Sequence, residues 1–196
     1  VSLGGTIAAR GRIQGPLDAL RPDLALELTN PRVGALQLAE RWKGRMQGAL
    51  GQDLTLALES RAHSGSLRAT LGSDGWPRRV QMQRDDGALE LQAQGGERRY
   101  RWNAEGFPLD GLQVILAAQS RSEGVSGRLD GSGELRVSPF LLSGSLSLDQ
   151  PTAFGVNFTA ANLSGRLAEG AFQLQGDLQP PEGQVGFTAT GRLGGA

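Results

Sequence analysis

The side chains able to do chemistry are few and lie apart along the chain. His63 is the only histidine, and it falls at the expected end of a strand. A zinc site needs several nitrogen, sulfur or carboxylate ligands, and His63 has no carboxylate cluster beside it in the sequence. The chain has no cysteine, which excludes disulfides and thiolate metal sites. We therefore expect His63 to be structural or exposed, and we expect no metal and no cofactor.

Other short motifs that resemble catalytic elements are better explained as turns. The Gly-Ser-Gly segment at 131–133 lacks the strand–turn–helix context of a nucleophile elbow. Lys43 is the only lysine, and it follows Trp42 rather than a glycine-rich phosphate loop. The Asp-Asp-Gly segment at 85–87 is typical of a hairpin turn rather than of a glycosidase carboxylate pair. The sequence thus predicts a protein that is not an enzyme.

Two short segments combine arginine with aromatic residues: Glu-Arg-Arg-Tyr-Arg-Trp at 97–102 and Trp-Pro-Arg-Arg at 76–79. On a strand, Tyr100 and Trp102 would face the interior while Arg99 and Arg101 would face outwards. Such clusters could meet lipid headgroups, an acidic partner or RNA. We favour a solvated outer face with ordinary aromatic packing inside.

Composition narrows the class of protein further. The 196 residues carry 20 basic and 20 acidic side chains, so no basic excess indicates nucleic-acid binding. No apolar run approaches the ~20 residues of a membrane-spanning helix. The N-terminal residues 1–5 show neither an initiator methionine nor a signal-peptide layout. We expect the chain to be a piece of a longer protein whose anchor lies elsewhere.

Alternation of apolar and polar residues at every second position dominates the chain. It predicts about sixteen strands, each of roughly four to eight residues. The connections between them are short, which requires neighbouring strands to be antiparallel. One apolar face should therefore recur on every strand. The residues that we expect to line this face are Leu24, Leu26, Leu28, Leu54, Leu56, Leu58, Leu89, Leu91, Leu135, Val137, Leu146, Leu148, Val156, Phe158, Phe172, Leu174 and Phe187.

One segment departs from the alternation. Leu109, Leu112, Ile115 and Leu116 fall at helical spacing, after a proline that suits a first helical turn. We predict a short helix near 109–118. It divides one elongated domain into a first β block (1–105), a helical connection (106–120) and a second β block (121–196).

Glycine is unusually frequent and is often followed two residues later by leucine. The chain has 30 glycines, and Gly-x-Leu occurs eleven times, against about five expected from composition. Such glycines either allow sharp strand bends or merely begin strands. The strands would fit a sandwich, a closed barrel or one long sheet folded along its length. A uniform face of leucine and glycine suits an open trough, although it also suits an ordinary core.

Residues 106–148 begin Gly-Phe-Pro-Leu-Asp-Gly-Leu and continue with Ser-Gly-Arg-Leu-Asp-Gly-Ser-Gly-Glu-Leu and Leu-Ser-Gly-Ser-Leu-Ser-Leu. Asn-Leu-Ser-Gly-Arg-Leu and Phe-Gln-Leu-Gln-Gly-Asp-Leu follow by residue 178. Over residues 100–180 this pattern resembles the TamB family, which is related to AsmA-like and bridge-like lipid-transfer proteins. Before residue 100 the resemblance is one of composition only.

The resemblance implies a β-taco, a long antiparallel sheet curled lengthwise into an apolar groove. It also implies a periplasmic location in the cell envelope, with the full-length protein anchored in the inner membrane. The implied function is phospholipid transport between membranes, outer-membrane protein assembly, or both. Phospholipid or acyl chains would occupy the groove, and an outer-membrane barrel protein of the Omp85 type would be a partner. The family has no catalytic residues, and the seventeen residues given above would take the groove-lining role.

Two other functions remain open from the sequence. The chain could be a structural or adhesin-like β repeat with a packed core and no lipid, or a polysaccharide-acting β protein. The last would need carboxylates and aromatic residues along one groove, which the sequence does not offer. An open sheet also leaves edge strands, through which we expect the chain to self-associate.

Overall fold

A computed structural model describes residues 3–16, 20–33, 36–49, 51–95, 98–116, 121–153 and 155–192. These residues form sixteen strands and one short 3-10 turn, Ala62–Ser64, so the predicted all-β class is confirmed. The strands are β1 (Leu3–Gln14), β2 (Arg21–Val33), β3 (Leu36–Leu38), β4 (Arg41–Gly48), β5 (Leu54–Ser60), β6 (Gly65–Leu71), β7 (Pro77–Arg84), β8 (Gly87–Ala93), β9 (Arg99–Pro108), β10 (Leu112–Leu116), β11 (Arg121–Arg136), β12 (Leu141–Ala153), β13 (Val156–Asn157), β14 (Ala160–Ala168), β15 (Ala171–Gln179) and β16 (Val185–Arg192).

All of these strands belong to one long antiparallel sheet. Its main path runs β10-β3-β2-β4-β5-β6-β7-β8-β9-β11-β12-β14-β15-β16, while β1 pairs with β2 and β13 pairs with β12. Most neighbours in the sheet are also neighbours in the chain, because the connecting turns are short.

The sheet curls until it meets itself, in a ring-like arrangement. Strands β4 to β9 lead from β2 to β11, and β10 pairs with β3 on one side and with β11 on the other. The Ala39 N–H extends the junction by donating to the Gly111 carbonyl at 2.9 Å. β3 and β10 thus bridge β2 and β11 at one end of the strands. We call this junction the strand bridge; β1 lies beyond β2, and β12–β16 lie beyond β11.

Cross-strand register places one continuous apolar face on the sheet, because directly paired residues share a face. Two rows each cross thirteen strands and contain only apolar residues and glycine. The first is Ala9, Leu26, Gly44, Leu58, Leu67, Met82, Leu89, Ala104, Gly131, Leu146, Leu163, Gly176 and Phe187. The second is Gly11, Leu24, Met46, Leu56, Ala69, Val80, Leu91, Trp102, Gly133, Gly144, Gly165, Leu174 and Ala189.

Most of the buried apolar side chains among the described residues lie on β4–β9. Trp42 and Leu58 are each only 2% exposed, and Ala69, Tyr100 and Ala104 are also buried. These side chains come from four strands of the ring and lie on its inner face. Trp42 is buried although Arg41 and Lys43 flank it, since these charged neighbours lie on the opposite, exposed face of the strand.

The helix predicted near 109–118 is not present in the described part of that segment. Residues 112–116 form β10, which pairs with both β3 and β11, while 117–118 lie outside the described residues. The apolar spacing also fits a short strand, and β-branched Val114 and Ile115 favour it. Gly111 has a φ of +82°, which interrupts the backbone just before β10. Hydrogen bonds to two partner strands outweigh the helical pattern.

The interpretation that some Gly-x-Leu glycines begin strands is confirmed, and other glycines have a different role inside strands. Gly65 and Gly87 begin strands, whereas Gly44, Gly133 and Gly144 lie inside them. At each of the three internal positions a Cβ atom would collide with a carbonyl of the neighbouring strand. These glycines therefore permit a close approach of adjacent backbones that no other residue would allow.

Candidate functional site: an open apolar groove

The apolar face lies open on strands β11–β15. A cleft of about 270 Å³ is lined by residues of β12, β14 and β15 and by Trp102 of β9. Its apolar lining consists of Trp102, Leu142, Gly144, Leu146, Leu163, Gly165, Leu167, Phe172 and Leu174. None of these side chains is buried, and Leu142 is 40% exposed. We call this surface the open groove, to distinguish it from the packed interior of β4–β9.

Trp102 and a row of glycines shape the floor of the groove. Gly133, Gly144 and Gly165 are paired in succession on β11, β12 and β14, and Trp102 pairs with the first of them. The Trp102 indole lies against Gly133 and Gly144, where a Cβ atom would meet the ring. Its Nε1 donates to the Ser143 carbonyl at 3.3 Å. Because these three glycines carry no side chains, the floor of the groove is deeper there, and the Trp102 ring bounds the groove on one side.

The opposite face of the same strands is polar. Across β11, β12, β14, β15 and β16 the paired residues are Ser132, Ser145, Ser164, Gln175 and Thr188. All five are exposed. A sheet with one apolar and one hydroxyl- and amide-bearing face keeps its outer surface soluble while leaving the other free to cover apolar material.

The structure divides the predicted groove-lining residues into three groups. The first group lies on β2, β5 and β8 and consists of Leu24, Leu26, Leu28, Leu54, Leu56, Leu58, Leu89 and Leu91. Of these, Leu54 and Leu58 are buried. Those on the open strands are Leu135, Leu146, Leu148, Phe172, Leu174 and Phe187, all half-buried. Three lie outside the rows: Val137 in a turn, Val156 on the two-residue β13 and Phe158 just after it.

Sequence reasoning missed several residues that shape the groove. Gly144 and Gly165 were seen only as part of a repeat, and Leu142 and Leu163 were not selected. The assignment of the Gly-Ser-Gly segment 131–133 to a turn was wrong, since these residues lie inside β11 and pair with strands on both sides. Each of these positions begins or extends a Gly-x-Leu or Leu-x-Gly step, so the signal was present as a pattern. That Tyr100 and Trp102 face the interior was predicted and is confirmed: Tyr100 is 3% exposed and Trp102 lies on the apolar row.

A buried ion pair lies at the strand bridge. Arg84, at the end of β7, is fully buried and donates to the Glu40 carboxylate and to the carbonyls of Pro108 and Asp110. Glu40 stands between β3 and β4, and the two carbonyls stand between β9 and β10. The guanidinium also lies 5.7 Å from the centre of the Phe107 ring. The Arg84 side chain therefore links the chain segment just before β4 to the segment that runs from the end of β9 towards β10.

Polar side chains elsewhere form local pairs rather than a reactive centre. His63 Nδ1 lies 2.9 Å from Asp85 Oδ2, next to a turn. Arg128 donates to Asp86 at 2.7 Å. That hydrogen bond, followed by a backbone hydrogen bond, lowers the pKa of the Asp86 carboxyl. Within the described residues no group of three or more His, Cys, Asp or Glu side chains is placed to hold a metal ion.

The fold and the groove define a class of protein: a single curled antiparallel sheet with one apolar and one polar face, packed where it closes and open beyond. No helix in the described part of the chain is long and apolar enough to cross a membrane. Comparison with models of protein families, with curated proteins and with solved structures found no match to this chain.

Proposed function

We propose that the chain is a segment of a TamB-like envelope protein whose open groove holds the acyl chains of phospholipids during transport between membranes. The observation that carries this proposal is the part of the two apolar rows beyond the ring, which crosses β11, β12, β14, β15 and β16 without a polar side chain. At ~4.8 Å per strand, the four steps between these strands correspond to roughly 19 Å along the sheet.

Acyl chains suit such a surface because they need no directional contacts. Each buried methylene contributes about 0.8 kcal/mol, whatever its position along the row. Glycine and leucine give a smooth lining that fixes no single bound geometry. Leu142 is exposed, and no other side chain that lines the open groove is buried. These side chains therefore leave apolar surface area that a ligand would cover.

The resemblance of residues 100–180 to the TamB family extends the proposal to the whole protein. On this proposal the protein acts in the periplasm, is anchored in the inner membrane and works with an outer-membrane barrel protein of the Omp85 type. Outer-membrane protein assembly is part of the same proposal, since an unfolded strand with alternating apolar residues could occupy the same face.

A packed structural β repeat is the second candidate, and one observation favours it. Trp42 and Leu58 are as buried as residues of an ordinary core, so these two side chains offer no surface to a ligand. We assign this packed part to holding the curled sheet closed and the open groove to binding. The two candidates therefore differ in what the open groove does.

Native mass spectrometry of the protein mixed with phosphatidylglycerol tests the proposal. We expect bound lipid in the wild type and loss of lipid in a Leu146→Asp, Leu174→Asp variant that still unfolds cooperatively. Ser145→Asp, Gln175→Asp is the matched control, because it adds the same two charges on the polar face of β12 and β15. A wild type that binds no lipid, or equal lipid binding by all three proteins, would refute the proposal.

A further inference from the structure

Three hairpin turns converge at the end of the strands opposite the strand bridge. They connect β6 to β7, β8 to β9 and β11 to β12, and their described residues, with Gly95 and Arg98 in the second, line a cleft of about 760 Å³. The Val137 N–H of the third turn donates to the Arg98 carbonyl of the second at 3.2 Å. This cleft brings together the two arginine–aromatic segments that the sequence separates by about twenty residues.

The two segments are in direct contact. The Arg98 guanidinium lies over the Trp76 ring, 4.2 Å from its centre. Trp76 is itself positioned by its backbone N–H, which donates to Asp74 Oδ1 at 3.1 Å. Contact with the face of an aromatic ring uses none of the guanidinium N–H groups as hydrogen-bond donors, so the planar fork that suits a phosphate or a carboxylate stays available.

The charge of the cleft favours an anion. Among the described residues that line it, Arg78, Arg98 and Arg136 face one carboxylate, Asp74. Arg78 also forms an ion pair with Asp53 at 3.3 Å. The remaining polar lining includes the hydroxyl-bearing residues Ser73 and Ser138, which can donate to phosphate oxygens.

The cleft adjoins the apolar face. Tyr100 lines the cleft and pairs with Leu135 on β11. Leu135 in turn pairs with Leu142, which lines the open groove. A molecule with a phosphate at one end and acyl chains at the other could therefore place its phosphate among the arginines and its chains along Leu135 and Leu142. Burial and Asp74 raise the pKa of the Tyr100 hydroxyl, which therefore stays a neutral hydrogen-bond donor at neutral pH.

We propose that the Trp76–Arg98 cleft is a headgroup site that binds the phosphate of a phospholipid whose acyl chains enter the open groove. This inference rests on the proposed function and adds to it the selection of phosphate-bearing lipids over uncharged ones. It also places the entry of the acyl chains into the open groove at these turns, at the end of the strands opposite the strand bridge.

The test uses three probes that separate the phosphate from the chains: dioctanoyl phosphatidic acid, dioctanoylglycerol and inorganic phosphate. Affinities are measured by calorimetry for the wild type and for an Arg98→Gln, Arg136→Gln variant. The control is Arg12→Gln, Arg45→Gln, which removes the same two charges from exposed positions outside both the cleft and the open groove. Thermal unfolding of each variant shows whether the fold is retained.

We expect the wild type to prefer dioctanoyl phosphatidic acid over dioctanoylglycerol by about tenfold, the strength of one or two charge-assisted hydrogen bonds. The cleft variant should lose this preference while keeping its affinity for dioctanoylglycerol, and the control should keep both. Equal binding of the two lipids by the wild type, or the same preference in the cleft variant, would overturn the headgroup site alone. Binding of inorganic phosphate without binding of either lipid would overturn both this site and the proposed function.

Discussion

Arg84 and Glu40 form a fully buried ion pair although they are 44 residues apart in the chain. Glu40 lies in the break between β3 and β4, and Arg84 reaches it from the end of β7. One atom of each partner, Glu40 Oε2 and Arg84 Nε, makes no hydrogen bond within the described structure. The pair is therefore incompletely satisfied, and its effect on stability depends on both partners being present.

Removing one partner should destabilise the protein strongly. Arg84→Met leaves the Glu40 charge buried, so we expect the free energy of unfolding to fall by about 3–5 kcal/mol. Urea denaturation followed by circular dichroism measures this change.

The double variant Glu40→Leu, Arg84→Met is the informative control. It removes both charges, so it should recover about half or more of the loss, although the Pro108 and Asp110 carbonyls lose their donor. The single variant Glu40→Leu completes the comparison. If the double variant loses as much stability as the two single variants lose in sum, the two residues act independently.

Gly144 should not tolerate a side chain. A Cβ atom there would collide with the Ser132 carbonyl and the Trp102 ring, so Gly144→Ala should cost about 1–3 kcal/mol of stability. Gly124 on β11 is the matched control, because a Cβ atom there meets nothing within 4 Å. Gly124→Ala should leave the stability unchanged or raise it by about 0.5 kcal/mol. Similar losses in both variants would contradict the close strand approach at Gly144.

Asp86 should contribute a pH-dependent increment of stability. Its folded-state pKa lies below the ordinary value, first because Arg128 donates to it. The contribution is therefore present above the unfolded pKa of about 3.9 and is lost as the pH falls through the folded pKa. We expect the difference in unfolding free energy between wild type and Asp86→Asn to shrink as the pH is lowered from 6 towards 2. A difference in unfolding free energy that stays constant or grows as the pH falls would contradict the predicted direction of the Asp86 contribution.

The edges of the sheet should promote self-association. Within the described residues β1 pairs only with β2, and β16 pairs only with β15. Ile7, Ile13 and Val185 on these strands are 71%, 58% and 51% exposed. Light scattering should show a mass that rises with concentration, and an Ile13→Lys, Val185→Lys variant should reduce the rise. A wild type that stays monomeric at millimolar concentration would contradict this prediction.

The local features of the fold were predictable from the sequence, and the long-range ones were not. Alternation at every second residue is a property of each strand taken alone, so the strands and the shared apolar face could be predicted. The pairing of β3 with β10 depends on segments about seventy-five residues apart, and neither segment carries a local signal for the other. The predicted helix failed at Leu112 in part for the same reason, since one of its two partner strands, β3, is distant in the chain.

The candidate site was predictable in part. Leu146, Phe172 and Leu174 were identified correctly as members of one face, because the strand period alone assigns them. The distinction between packed and open parts was not predictable. Leu58 and Leu146 lie on the same cross-strand row. Leu58 is buried and Leu146 is half-buried because the sheet curls around the first and not around the second.

Quenching of tryptophan fluorescence by phosphatidylglycerol brominated in its acyl chains tests the central claim most directly, because Trp102 lies in the open groove. The account predicts that brominated chains quench the wild type, that non-brominated lipid does not, and that Trp102→Phe removes the quenching although Trp42 and Trp76 remain. Absence of quenching in the wild type, or undiminished quenching in Trp102→Phe, would contradict the claim that the open groove binds acyl chains.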